Sequence, residues 1–405
     1  MIIKIYTQSI INFISLILKN KYFLVSVLNS SVKILFLPIL LFYLTIDDIG
    51  KYDYYIALFS VLELIFFLKI SSAIYRFNLK KNKKSFVCIL KYIYLIAIVA
   101  LPIIIYLIEK KLVETVFLVI LLFLICTFNI INELIRNNVN QKKFFVKFNS
   151  LNGILVVICP PLIFMSNGNN FISLLVGVSL SYLIPIMMFF LKKINLTSNA
   201  DESRLDKRCI LFFMLPIALS GLLYLLSKQS IKFFINYNYG FEENGYFYIL
   251  NYFPNIIFLV SNIVILNLQD IFIHKNNDNS LFKKIHLWYM LSILILSLIL
   301  FPFALLFTEY HLNKSFDYVS RIILLLGATL FYAGFSFGGV ILLKERNSFQ
   351  IMLGSLLNLI IFVLSLLIIG DKYGVLGIYI SYFFASLFAY IQRNIFVLKI
   401  RYKYL

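Results

Sequence analysis

The sequence predicts an all-α polytopic membrane protein of about twelve transmembrane helices, arranged as two parallel-repeat six-helix bundles. Three observations predict it. Hydrophobic residues are 61% of the 405 and charged residues 14%, with a mean hydropathy of +0.92. A soluble domain is nearer ~45–50% apolar and ~25% charged. Apolar runs of span length recur along the whole chain, separated by polar punctuation. Lysine and arginine collect in alternate loops, as topology in a membrane requires.

The first twenty residues place Ile10, Phe13, Ile14 and Ile17 at helical spacing among Lys4, Gln8, Asn12 and Lys19. This pattern reads as an amphipathic helix on the inner membrane face rather than a cleavable signal. Spans are expected at 22–44, 54–75, 86–107, 115–135, 145–166, 171–191, 210–235, 246–271, 286–308, 320–343, 349–369 and 375–396. With both termini inside, the inner segments hold most of the 37 basic residues, in clusters such as Arg76 to Lys84 and Lys192 to Arg208. The outer loops hold only Lys51, Lys110, Lys111, Lys314 and Lys372. The net charge of +19 is thus a topological signal, and nucleic acid is not needed to explain it. The domain reading is an N-terminal bundle (1–191), a cytoplasmic linker (192–209) and a C-terminal bundle (210–405).

Loops are short, and none carries a P-loop, GxSxG or HExxH motif or a paired-carboxylate arrangement. Cys88, Cys126, Cys159 and Cys209 have no metal or CxxC spacing, and His274, His286 and His311 are scattered. No cofactor and no catalytic residue is expected. A membrane polymerase or acyltransferase would normally need a sizeable outer loop or a histidine-bearing pair.

A short motif repeats. Asp47-Asp48-Ile49-Gly50-Lys51-Tyr52 and Glu242-Glu243-Asn244-Gly245-Tyr246-Phe247 are each two acids, one residue, glycine, then an aromatic residue nearby. Each is expected in the first outer loop of its half, leading into that half's second span. Six spans per half is an even number, so both halves enter the membrane in the same direction. Such parallel repeats mark transporters with a substrate site at the interface of the halves. Each glycine also suits a turn residue entering a helix.

The 47–52 segment is followed by a span ending Lys69-Ile70-Ser71-Ser72-Ala73-Ile74-Tyr75-Arg76. The second half offers Leu215-Pro216-Ile217-Ala218-Leu219-Ser220-Gly221, then Ile231-Lys232-Phe233-Phe234-Ile235 before a Gly-bearing turn. These stretches resemble the Wzx-type flippases of bacterial O-antigen and capsule units, in the multidrug/oligosaccharidyl-lipid/polysaccharide exporter superfamily. The chain departs from that pattern at Ile231 and Lys232, where the family often has Asp-Arg. The resemblance implies a bacterial inner-membrane flippase for an undecaprenyl-pyrophosphate-linked oligosaccharide, with both termini cytoplasmic. It further implies contact with membrane lipid, a polysaccharide polymerase and a chain-length regulator.

Charges within spans carry the site reading, because one at mid-bilayer costs about 2.5–3.5 kcal/mol even on lenient scales. Lys33 lies ~16 Å into span 1 at 1.5 Å per residue, either facing a cavity or paired with a carboxylate such as Glu63. Lys69 and Arg76 share a face of span 2, and Lys91 sits at similar inner depth, where snorkelling competes with a cavity role. Lys228 and Lys232 stack four residues apart on span 7 and need water or a shared anion. Arg321 is expected to snorkel at the outer edge of span 10. Together Lys69, Lys91, Lys33, Lys228 and Lys232 form a ladder for a pyrophosphate, with Arg76, whose place by the inner surface also suits topology, as a further substrate-binding candidate. Glu63 is the one deep acid, a coupling-ion candidate or a neutralising partner. Asn129, Asn132 and Asn358 are among the asparagines expected to line a sugar path. A cation-coupled multidrug exporter is the alternative, for which net acidic cavity residues would be expected. Lys33→Ala is expected to abolish surface glycan at normal protein level, and wild-type glycan in that variant would remove its role.

Overall fold

The computed structural model describes residues 35–67, 79–136, 142–168, 170–192, 207–274, 293–307, 309, 319–330 and 348–402. These are helices throughout, with short joints between them. In chain order they are α1 (Phe36–Tyr43), α2 (Ile46–Phe67), α3 (Leu79–Glu109), α4 (Leu112–Arg136), α5 (Lys142–Asn167) and α6 (Phe171–Leu191). The segment Lys207–His274 is two helices, α7 (207–239) and α8 (241–274), broken at Gly240 with φ of 85°. Then follow α9 (Ile293–Phe307) and α10 (Val319–Leu330). The last pair is α11 (Ser348–Ser365) with a π-helical end at Leu366–Gly370, and α12 (375–402) after a break at Gly374.

Six helices among the described residues are long and apolar enough to cross a membrane: α3 to α6, α11 and α12. The chain is a multi-pass membrane protein with the expected all-α architecture. The amphipathic N-terminal segment and the linker at 193–206 lie outside the described residues.

Two compact units divide the chain, Leu35–Tyr248 and a second that takes in Ile249–Leu405. In the first, α5 packs along α6, α6 on α4, α4 on α3, and α2 against both α3 and α4. Its core is apolar and aromatic, with Leu40, Ile49, Tyr55, Phe59, Leu101, Leu118, Leu121 and Leu174 buried together. Phe128 stacks on Phe148 at 4.7 Å where α4 meets α5. In the second unit α11 packs along α12, and Phe253, Ala304 and Leu325 form a small core.

The start of α2 departs from the sequence expectation. Residues 47–52 are its first turns, not a loop, so the helix begins eight residues before the expected span. Thr45 supplies the reason. Its Oγ1 accepts from the Asp48 amide at 3.2 Å and donates to Asp48 Oδ2 at 2.9 Å, a capping arrangement. Asp47 and Asp48 fall in the first turn, where the helix dipole favours them.

Gly50 and Gly245 are likewise not turn residues. They meet each other where α2 crosses the beginning of α8. A Cβ on Gly50 would overlap the Phe241 carbonyl, and one on Gly245 would overlap the Ile46 carbonyl. Asn244, inside the second copy of the motif, donates Nδ2 to the Gly50 carbonyl at 2.8 Å. The repeat recognised in sequence is therefore one crossing, and each copy supplies half of it. Gly50→Ala and Gly245→Ala are each expected to destabilise by about 1–3 kcal/mol through overpacking. Thermal unfolding in detergent would show this.

Candidate functional site

Below the glycine crossing, α2 presents Gly50, Asp53, Ala57 and Ser60 at spacings of three and four, hence on one face. This face meets α7. Lys232 Nζ donates to Asp53 Oδ1 at 2.6 Å, with side chains only 11% and 3% exposed. Lys228, one turn earlier on α7, lies within electrostatic range of the same carboxylate. Gln229 Nε2 makes a long contact of 3.4 Å to Ser60 Oγ, whose hydroxyl donates to the Ala57 carbonyl at 2.8 Å. Tyr54 closes the flank edge-on to Phe233 and Phe241, each at 5.7 Å. Asp53 Oδ2 and Gln229 Oε1 are buried with no hydrogen-bond partner among the described residues.

A second polar cluster lies around the corner of α2. Lys51 Nζ bonds Glu109 Oε1 at 2.7 Å and also Glu114 Oε2, joining α2 to the ends of α3 and α4. The ammonium also sits 4.7 Å above the Phe171 ring at the start of α6. Lys111 reaches Glu114 Oε1 at 3.2 Å. The two glutamates thus share one buried ammonium. The cluster is a four-helix fastening.

The third is inside the first unit. Glu63 accepts from Asn129 Nδ2 at 2.9 Å, linking α2 to α4. Tyr94 and Tyr182 lie within electrostatic range of this carboxylate. Tyr94 shares a 2.9 Å hydrogen bond with Thr127.

Of the cation ladder expected from sequence, the structure places Lys228 and Lys232 together on the α2–α7 face. It does not bring Lys91 to them. Lys91 is on the exposed side of α3 with Tyr92, Leu95 and Ile98, the side that lipid covers in a span, which suits snorkelling. Lys33, Lys69 and Arg76 lie outside the described residues, as does any pairing of Lys33 with Glu63.

Two expectations need correction. Arg321 does not snorkel; it is 2% exposed, and its guanidinium donates to the Leu305 carbonyl at 3.4 Å, tying α10 to α9. Nor are all the asparagines free to line a path. Asn132 accepts from Asn149 at 2.7 Å, and Asn358 donates to the Ala385 carbonyl at 2.7 Å, so these join helices, as Asn129 does. Sequence reasoning missed Asp53, assigned to a loop. The Thr45-x-x-Asp48 cap was the signal that could have placed it on a helix facing span 7.

No family model matches the sequence, and no curated protein matches it. Solved structures do. The outward-facing structure of a multidrug resistance MATE family transporter of the MOP superfamily aligns with TM-score 0.64 at 17% identity, covering 94% of each chain. Its inward-facing counterpart aligns with TM-score 0.64 at 16% identity and 94% of each chain. A MOP superfamily transporter from Pyrococcus furiosus aligns with TM-score 0.60 at 16% identity, again over 94% of each.

Lys51→Met is expected to destabilise by about 3–5 kcal/mol, because it strands two buried carboxylates. Adding Glu109→Gln and Glu114→Gln to Lys51→Met should recover much of that loss in thermal unfolding. An added loss instead would mean the cluster is not an ion-pair fastening. The chain has the fold of these MATE transporters, twelve membrane helices in two repeat halves.

Proposed function

We propose that this chain is an alternating-access transporter whose cargo carries an anionic head group, an undecaprenyl-pyrophosphate-linked oligosaccharide moved from the inner to the outer leaflet. The observation that carries the reading is the α7 face, where two lysines one turn apart sit beside the Asp53 carboxylate. An anion cannot cross hydrocarbon unpaired. Lysines on a face that parts from its carboxylate offer charge-assisted hydrogen bonds to a phosphate group. In this reading Lys228 and Lys232 hold the pyrophosphate at one stage of transport. Lys33, Lys69 and Arg76 hold it at others, and Lys91 contributes from the lipid boundary. Glu63 is the coupling-ion candidate, its carboxylate oriented by Asn129.

A second reading, a cation-coupled multidrug exporter, is favoured by the structural neighbours, which include multidrug resistance transporters. Against it stands the charge of the spans, in which Lys33, Lys69, Lys91, Lys228, Lys232 and Arg321 outnumber Asp53, Glu63, Glu133 and Asp270. The Pyrococcus furiosus neighbour is described as having a binding pocket of reverse polarity that suggests a different function. This fold therefore accommodates pockets of differing charge.

Removing two charge-assisted hydrogen bonds of about 1.5–3 kcal/mol each weakens an anion site at least tenfold. Lys228→Ala with Lys232→Ala is therefore expected to cut surface glycan at least tenfold at unchanged membrane level. Normal glycan in the double variant, together with raised drug sensitivity of cells lacking the chain, would establish the exporter reading in its place.

A further inference from the structure

We propose that Asp53 is a latch: it fastens α7 to α2 at the end of these helices that carries the repeated glycine motifs, and its release frees the lysine face. This regulates the site proposed above, and rests on that reading only for what the lysines then take.

The ion pair is a poor source of net stability. Two charges are withdrawn from water, and their attraction repays the loss only when every remaining polar atom is also satisfied. Here one is not, since Asp53 Oδ2 is buried with no hydrogen-bond partner among the described residues. A carboxylate with an idle oxygen regains hydration as soon as the helices part.

Among the described residues, few polar contacts accompany the pair between α2 and α7. The glycine crossing, with its Asn244 hydrogen bond to the Gly50 carbonyl, holds α2 to α8 and not to α7. The neighbouring Gln229–Ser60 contact is long, at 3.4 Å. By contrast Lys51, Glu109, Glu114 and Phe171 fasten the other side of α2 to α3, α4 and α6. Helix α2 is thus anchored firmly to the first half of the sequence and held to α7 by a frustrated pair. Such an element has two arrangements of similar free energy, which is what a switch needs.

The test uses the full chain with Cys88, Cys126, Cys159 and Cys209 replaced by alanine and Gln229→Cys introduced one turn past the pair. Gln229 is buried. Its labelling by a membrane-impermeant maleimide in intact cells reports opening from the outside. Tyr237→Cys, at a position 88% exposed near the end of α7, is the reference for orientation and folding. Asp53→Asn and Lys232→Gln are each expected to raise the labelling rate at 229 about tenfold or more, the equivalent of ~1.4 kcal/mol. The exchanged pair, Asp53→Lys with Lys232→Asp, is expected to bring it back towards the parent rate. If Asp53→Asn leaves the rate within twofold while the 237 reference still labels, there is no latch. If the exchanged pair labels as fast as Asp53→Asn, loosening rather than the ion pair explains the exposure, and the proposal also falls. The readout needs no substrate, so unchanged glycan in the lysine variants would overturn the cargo reading and leave the latch intact.

Discussion

A charge inside a membrane helix must find a partner from another helix, and this requirement organises the packing around α2. That helix carries Lys51, Asp53 and Glu63 on different faces, and each is met from a different direction. Lys51 is taken by the glutamates at the α3–α4 joint, Asp53 by Lys232 of α7, and Glu63 by Asn129 of α4. Apolar contact alone gives little direction between helices whose outer faces lie in lipid. The polar pairs fix which face of α2 looks where.

The three pairings differ in completeness. Lys51 is surrounded by two carboxylates and an aromatic face. Glu63 accepts from one amide and has two tyrosines within electrostatic range. Asp53 has one lysine bonded to one oxygen and a second lysine nearby. A graded set of this kind separates rigid joints from movable ones within one helix, because the cost of exposing each to water differs.

The spans were legible because their signal is bulk hydropathy, and α6 begins and ends where the sequence places it, at 171 and 191. Asn170 helps, since its side chain accepts from the Ser173 amide and marks the start. The start of α2 was not legible by hydropathy, because its first two turns hold Asp47, Asp48, Lys51 and Asp53. Those residues look like a loop until their partners are known. The same limit hid the role of the repeated glycines. A glycine beside acids and an aromatic suits a turn as well as a crossing, and only the neighbouring backbone distinguishes them. Lys91 shows the converse: depth along the chain was readable, but the side of the helix it occupies depends on what α3 packs against.

The meeting of Gly50 with Gly245 has a consequence for how the two repeats are allowed to diverge. Each glycine is the clearance for the opposite backbone, so neither copy can accept a larger residue on its own. Whatever history separated the two halves elsewhere, at this point they are tied as lock and keyway. A chimera that transplants one half from a related protein would have to carry glycine at both positions, or find its second helices held apart.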